Sequence, residues 1–144
     1  MSTVLQIYEA IDRLAPFFLS MDFDNTGILV GDRQKKVERA LLALDCTKEV
    51  LRQAKELGAQ LIITHHPIIF HPIKRVNEDS LVYHLLRSDI AVISAHTNLD
   101  IAQGGVNDLL AKRIGLSDCR GLQPMDAQGT FFLGRVGSLP EGME

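Results

Sequence analysis

Two adjacent histidines, His65 and His66, are the side chains of this sequence best suited to chemistry. They follow an apolar run at residues 61–63 that is typical of a buried strand, and Pro67 then prevents the chain from continuing as a central strand. Neutral imidazole is a good ligand for Zn, Mn, Fe or Ni. The pair alone leaves two interpretations open. Either both histidines bind metal, or one is a hydrogen-bonded core residue and the other is solvated.

The elements that position these histidines repeat in the order strand, helix. Three apolar runs, at residues 40–44, 61–63 and 90–93, are typical of buried strands, and the first is predicted to be covered on both faces. A helical pattern follows each run and opens at a residue that can cap it: Thr47, Asp79 or Ser80, and Gly104 with Gly105. This order predicts an α/β fold of three layers, α/β/α, with a mostly parallel sheet.

The N-terminal segment is predicted to contain one helix and one short strand. Thr3 and Gln6 have the spacing of a capping box at the start of the helix. A polar, turn-rich stretch at residues 21–27 then precedes a short apolar run at residues 28–30. Asp24 within this stretch can face a pocket, but a plain Asx turn is the role that the local sequence favours.

The carboxyl ends of parallel strands meet at one edge of a sheet, where ligands bind. The polar residues at or just beyond such ends are Asp45, His65, His66, His96 and Asp100. Adjacent residues on a regular strand point to opposite faces, so His65 and His66 are not expected to reach one ion without distortion. Two neighbouring ions would each take one histidine. Asp100 can bridge such ions, which at about 3.5–4 Å apart share and deprotonate a water.

Composition narrows the class of protein. The 144 residues suffice for one domain with its own core, and the net charge of −3 argues against direct nucleic-acid binding. No apolar run approaches transmembrane length, so no membrane contact is expected. Cys46 and Cys119 lack the spacing of a metal or redox motif and are interpreted as free thiols. These features predict a cytoplasmic protein.

Three motifs in the sequence resemble those of the Nif-three-like family, whose members are commonly named GTP cyclohydrolase I type 2 homologues. The motifs are Asp-Asn-Thr-Gly-Ile-Leu-Val-Gly-Asp at 24–32, Thr-His-His-Pro-Ile-Ile-Phe at 64–70, and Ala-His-Thr-Asn-Leu-Asp at 95–100 with Gly-Gly-Val-Asn-Asp at 104–108. They occur in the order that the family shows, and the resemblance extends from Asp24 to Gly137.

The resemblance implies a fold of two similar intertwined lobes, a ring-shaped hexamer and a dinuclear metal site. His65 and His66 match the family's paired-histidine ligands, and Asp100 matches the carboxylate of its histidine-to-aspartate motif. His96 lies in the same motif and is expected to face the site without binding the metal directly. Asp45 is a weaker candidate for the same role. The expected cofactors are two divalent metal ions, for which Zn, Mn, Fe and Ni are all compatible.

Family members also supply a histidine and a glutamate from a C-terminal lobe, and the present sequence has no such motif. Residues 1–144 are therefore expected to form a single α/β domain that is the N-terminal part of a longer two-lobe protein. Three ligands for two ions would leave many coordination positions to water, which predicts weakened metal affinity.

Two functions follow from this site. The first is a metal-dependent hydrolase whose water nucleophile is generated between two divalent ions. The family name suggests GTP as a substrate, but the sequence has no P-loop, and Gly104 with Gly105 is only a weak signal for anion binding. The alternative is a non-catalytic metal-binding scaffold or regulatory protein with protein partners. In a third interpretation the histidines only end the strand and bind no metal.

Overall fold

A four-stranded sheet is the centre of the computed structural model, which describes residues 1–139. The strands are β1 (Ser2–Thr3), β2 (Gly27–Val30), β3 (Lys36–Val37), β4 (Ala40–Ala43), β5 (Leu61–Thr64), β6 (Ala91–Ser94), β7 (Ser117–Pro124) and β8 (Phe132–Ser138). The helices are α1 (Val4–Leu14), α2 (Lys48–Glu56), α3 (Leu81–Arg87), α4 (Thr97–Ile101) and α5 (Val106–Arg113), with a single 3₁₀ turn at Phe17–Leu19. The last five residues of the predicted domain, 140–144, lie outside the described residues.

The central sheet has the strand order β2-β6-β5-β4. Strands β4, β5 and β6 are parallel, and β2 is antiparallel to β6 at one edge. Their register aligns Ala43 with Thr64 and Thr64 with Ser94, so the three parallel strands end at the same level. The predicted α/β class with a mostly parallel sheet is confirmed.

Helices pack on both faces of this sheet, as a three-layer fold requires. On one face α2 and α3 bury Leu51 and Leu85 against Ile62 of β5. On the other face α1 buries Val4 against Leu61. The caps predicted from sequence are also present. Thr3 and Gln6 form a complete capping box for α1, and the hydroxyl of Thr47 accepts the amide of Val50 at the start of α2.

Strand β4 differs from the prediction, because it is not covered on both faces. The side chain of Leu42 is 76% exposed, and Leu44 just beyond the strand is 61% exposed. Leu42 aligns with Ile63 and therefore shares its face of the sheet, but α1 packs over β5 and β6 and does not extend to β4. The apolar run at residues 40–44 thus forms an edge strand with an open face.

A hairpin of β7 and β8 packs against α4 and α5. Arg135 on β8 holds it to α5 through a bidentate ion pair with Asp108, in which Nη2 donates to Oδ2 at 3.1 Å. None of the helices within residues 1–139 has the length and apolar character that a membrane crossing requires.

Candidate metal centre

Three histidines, His65, His66 and His96, come together at the carboxyl edge of the sheet. Each offers one ring nitrogen, and these three atoms lie within 4.8 Å of one another. The ring centroids lie 5.3 Å apart for His65 and His66, 5.1 Å for His65 and His96, and 5.6 Å for His66 and His96. Nitrogens that bind one Zn²⁺ at about 2.0–2.1 Å in tetrahedral geometry lie roughly 3.4 Å apart. Small side-chain rotations would therefore bring all three onto one ion.

The local backbone explains why the adjacent histidines converge. Strand β5 ends at Thr64, so the strand alternation that would separate His65 from His66 no longer applies. The amide of His66 donates to the carbonyl of Leu44 at 3.0 Å, and the hydroxyl of Thr64 donates to the carbonyl of His66 at 2.9 Å. The alternation behind the expectation of one histidine for each ion therefore does not extend to His65 and His66, and the number of ions that they bind stays a prediction.

Each imidazole of the cluster is hydrogen bonded to its own carboxylate. The pairs are His65 Nε2 with Asp100 Oδ1 at 3.0 Å, His66 Nδ1 with Asp45 Oδ1 at 2.7 Å, and His96 Nδ1 with Asp24 Oδ1 at 3.0 Å. A carboxylate can only accept, so we assign the proton of each imidazole to the nitrogen that faces its carboxylate. In a neutral ring the other nitrogen then keeps its lone pair, which is the usual arrangement of a metal-binding histidine.

One of the remaining nitrogens, Nδ1 of His65, is buried and has no hydrogen-bond partner among the described residues. A buried polar atom without a partner is unfavourable by about 1–3 kcal/mol. A metal ion would satisfy this atom. The donor set at this edge of the sheet, neutral imidazoles backed by carboxylates, therefore fits a divalent transition metal.

Asp24 is a further member of the cluster, whereas its local sequence favours only an Asx turn. Its side chain is 0% exposed, and besides His96 it accepts the hydroxyl of Thr97 at 2.6 Å and the amide of Thr97 at 3.1 Å. Burial raises the pKa of Asp24, but the hydrogen bonds from Thr97, His96 and the amide of Asn25 outweigh burial, so the pKa lies below its usual value. The predicted Asx turn exists too, since the amide of Asn25 donates to Asp24 Oδ1 at 2.8 Å.

The predicted residues differ in their accessibility. His65 and Asp100 are largely buried, whereas His66 and Asp45 are about half exposed and lie at the open side of the cluster. His71 and His84, which are not among the predicted site residues, are not part of the three-histidine group. The structure thus brings together all five predicted site residues and adds Asp24. Which of them bind metal stays a prediction.

An open cleft of about 610 Å³ adjoins His65 and His66. Apart from these histidines and Thr64, all of its lining side chains are apolar: Leu42, Ala43, Leu44, Ile63, Ala95, Leu99 and Val106. Gly104 and Gly105 do not provide an anion site here, because their amides donate to Asp108 Oδ2 at 2.6 Å and to the carbonyl of Ala102 at 3.0 Å. A small molecule bound in this cleft would therefore contact apolar side chains beside the histidines.

Fold and cluster together define an α/β protein with a candidate metal centre at the carboxyl edge of its sheet. The chain belongs to the Duf34/NIF3 (NGG1p interacting factor 3) family, whose sequence profile matches residues 2–144. The resemblance noted from the three motifs is confirmed.

Known relatives extend well beyond the region that this chain matches. The GTP cyclohydrolase 1 type 2 homolog of Clostridium perfringens is 41% identical over 145 residues, covering 95% of this chain and 54% of that protein. The Bacillus cereus protein related to NIF3 has a TM-score of 0.83 at 39% identity, with 88% of this chain and 36% of that chain covered. Reduced HcgD from Methanocaldococcus jannaschii has a TM-score of 0.77 at 34% identity, with 83% of this chain and 50% of that chain covered. The chain spans about half the length, or less, of these relatives.

Proposed function

We propose that this chain provides a divalent metal centre that would activate a water for a hydrolase-like reaction. The observation that carries the proposal is the convergence of three imidazole nitrogens within 4.8 Å, each imidazole being backed by a carboxylate. A bound divalent ion supplies such chemistry by lowering the pKa of a coordinated water.

The proposed ligands are His65 and His66, as the sequence predicts. His96, which the sequence analysis expects to face the site without binding metal, is proposed as a third ligand because its ring nitrogen lies within 4.8 Å of theirs. Asp100 is proposed to serve the second predicted ion. Its Oδ1 is used by His65, and within residues 1–139 its Oδ2 makes no hydrogen bond, so this oxygen is available for a metal. Asp45 holds the ring of His66 at the open side. The identity of the ions, among Zn, Mn, Fe and Ni, is left to experiment.

The substrate is proposed only as a class. The Clostridium perfringens relative carries the name GTP cyclohydrolase 1 type 2 homolog, which makes GTP the first compound to test. The cleft beside the histidines has apolar walls and no carboxylate or amide side chain among its lining residues to read a guanine. The proposal therefore extends to other substrates whose reacting group approaches the metal while an apolar portion contacts Leu42 and Leu99.

Metal binding is the decisive test. Zn²⁺ and Mn²⁺ are titrated into the chain by calorimetry, with His66→Ala as the variant and His71→Ala as the matched control outside the cluster. Wild type and His71→Ala are expected to bind equally, whereas His66→Ala loses at least tenfold in affinity. Hydrolysis of GTP and of phosphoester substrates is then followed with and without metal. Equal binding by all three proteins would refute the metal centre.

The second candidate function is a non-catalytic metal-binding scaffold, which the exposed apolar surface favours. Leu42, Leu109 and Leu110 are all more than half exposed, as a surface that binds other protein chains would be. A hexameric ring, and a place for residues 1–144 as one lobe of a longer two-lobe protein, belong to the same proposal. The share of the relatives' length that this chain covers supports the longer protein. Tight metal binding without turnover, together with an oligomer in light scattering, would favour the scaffold.

A further inference from the structure

We propose that Asp24 is a positioning residue that fixes the imidazole of His96 in the tautomer with its proton on Nδ1, which leaves Nε2 free to bind metal. The inference rests on the proposed metal centre and deepens it. It assigns a role to a residue that lies 72 positions before His96 in the chain.

The surroundings of the Asp24 carboxylate leave it no other role than that of an acceptor. Oδ1 receives His96 Nδ1 at 3.0 Å and the amide of Asn25 at 2.8 Å. Oδ2 receives both the hydroxyl and the amide of Thr97, at 2.6 Å and 3.1 Å. Four donors thus converge on a side chain that is 0% exposed. Such an environment stabilises the ionised carboxylate.

An ionised carboxylate can pair with imidazole only when the facing nitrogen carries a proton. His96 Nδ1 is therefore the donor, and in the neutral ring Nε2 holds the lone pair. Further bonds fix the backbone around this ring. The amide of His96 donates to Asn98 Oδ1 at 2.9 Å, and Asn98 Nδ2 donates to the carbonyl of Ala15 at 2.7 Å. The ring is thus held both through its backbone and through Nδ1.

The loop that carries Asp24 is tied on both sides of the cluster. The amide of Met21 donates to Thr97 Oγ1 at 3.0 Å, next to His96. Asn25 Nδ2 donates to the carbonyl of Ile69 at 2.6 Å, in the segment that follows His66. The loop therefore joins the segments that follow β5 and β6, and Asp24 is the residue through which it acts on His96.

Replacing Asp24 by asparagine tests this role, because the amide has nearly the same shape but contains a donor. Each oxygen of Asp24 accepts one backbone amide, that of Asn25 at Oδ1 and that of Thr97 at Oδ2, so the NH₂ group of an asparagine faces a donor in either orientation. With the NH₂ group at the Oδ1 position His96 Nδ1 must accept, and with the NH₂ group at the Oδ2 position His96 Nδ1 donates to a neutral oxygen. Asp24→Asn is therefore expected to weaken the preference for the Nδ1–H tautomer.

The first measurement is NMR of the ¹⁵N-histidine-labelled chain without metal. Wild-type His96 is expected to show the Nδ1–H tautomer, and Asp24→Asn a smaller share of that tautomer. Calorimetry with Zn²⁺ is then expected to give about 10–100-fold weaker binding for Asp24→Asn. Asp126→Asn is the matched control, since Asp126 accepts the amides of Thr130 and Phe131 at 2.7 Å and 3.0 Å in the β7–β8 turn. Its Zn²⁺ affinity should equal that of wild type.

An Nε2–H tautomer in wild-type His96 would overturn the inference, and this result does not depend on the folding of any variant. Unchanged Zn²⁺ affinity in a folded Asp24→Asn protein would overturn it as well. A wild-type chain that binds no Zn²⁺ but shows Nδ1–H on His96 would refute the metal centre of the proposed function and support the action of Asp24 on the tautomer. The two failures are therefore distinguishable.

Discussion

Asp100 Oδ1 lies 3.0 Å from His65 Nε2, while the other ring nitrogen of His65 is buried and has no hydrogen-bond partner within residues 1–139. The hydrogen bond orients the ring, and the unsatisfied Nδ1 is the atom that a metal would complete. Asp100 is hydrogen bonded to His65 as Asp45 is to His66, but the side chain of Asp100 is much less exposed than that of Asp45. Its replacement should therefore have the larger effect on metal binding.

Asp100→Asn is expected to weaken Zn²⁺ binding by about 10–100-fold or more, because the amide removes both the charge-assisted bond to His65 and an anionic oxygen. Competition with a chromogenic chelator measures the change. Asp79→Asn, at an exposed aspartate before α3, is the matched control and should leave the affinity unchanged. An Asp100→Asn protein with wild-type affinity would exclude Asp100 from the centre.

Metal should also stabilise the folded chain, since the three imidazoles converge only in the native state. Free Zn²⁺ at about 100 times its Kd is expected to raise the free energy of unfolding by about 2.7 kcal/mol. Urea unfolding with Zn²⁺ and with EDTA measures this difference. In His65→Ala the Zn²⁺-dependent gain should largely disappear, and a gain that survives this substitution would place the bound metal elsewhere.

Leucine-to-alanine substitutions in two neighbouring strands of the sheet are expected to differ in how much they lower the free energy of unfolding. Leu61→Ala removes a side chain that is 0% exposed beneath α1 and should lower the free energy of unfolding by about 2–5 kcal/mol. Leu42→Ala, on the same face of the neighbouring strand, should change it by less than about 0.5 kcal/mol. Chemical denaturation of both variants measures the difference. Similar losses would mean that β4 is covered in solution.

The ion pair between Asp108 and Arg135 should make the attachment of the β7–β8 hairpin depend on pH. The guanidinium of Arg135 holds the pKa of Asp108 below its usual value. A depressed carboxyl pKa contributes stability above the unfolded pKa, about 3.9, and loses it as the pH falls through the folded pKa. Asp108→Asn should therefore be less stable than wild type by about 1–2 kcal/mol at pH 7, with a smaller difference below about pH 4.

Urea unfolding of both proteins at a series of pH values tests this dependence. Asp118→Asn is the control, at an exposed aspartate of β7 that forms no ion pair within residues 1–139, and its stability should follow that of wild type at every pH. A difference between wild type and Asp108→Asn that stays constant from pH 7 to pH 3 would contradict the assigned role of the carboxylate.

Features that depend on neighbouring residues were predictable from the sequence. The capping box of Thr3 with Gln6 and the cap at Thr47 need only residues three positions apart, and they are present as expected. The alternation of apolar runs and helical patterns also predicts the parallel core, because a helix between two strands returns the chain to the end at which the first strand began. Since parallel strands end at a common edge, the same alternation is enough to predict that His65, His96 and Asp100 lie close together.

Features that depend on distant residues were not predictable. The bond between Asp24 and His96 spans 72 positions, while the local sequence around Asp24 indicates only the Asx turn that is also present. The convergence of His65 with His66 depends on β5 ending at Thr64, a boundary that periodicity does not locate to one residue. The exposure of Leu42 depends on how far α1 extends across the sheet, and the apolar run itself carries no such information.

The open edge of β4 affects how the isolated chain behaves at high concentration. Within residues 1–139 this strand is hydrogen bonded only to β5, so its outer backbone groups and the exposed side chain of Leu42 face solvent together. Such an edge is a template on which the strand of another molecule can pair. Strand addition at β4 is therefore the route of self-association that this edge leaves open.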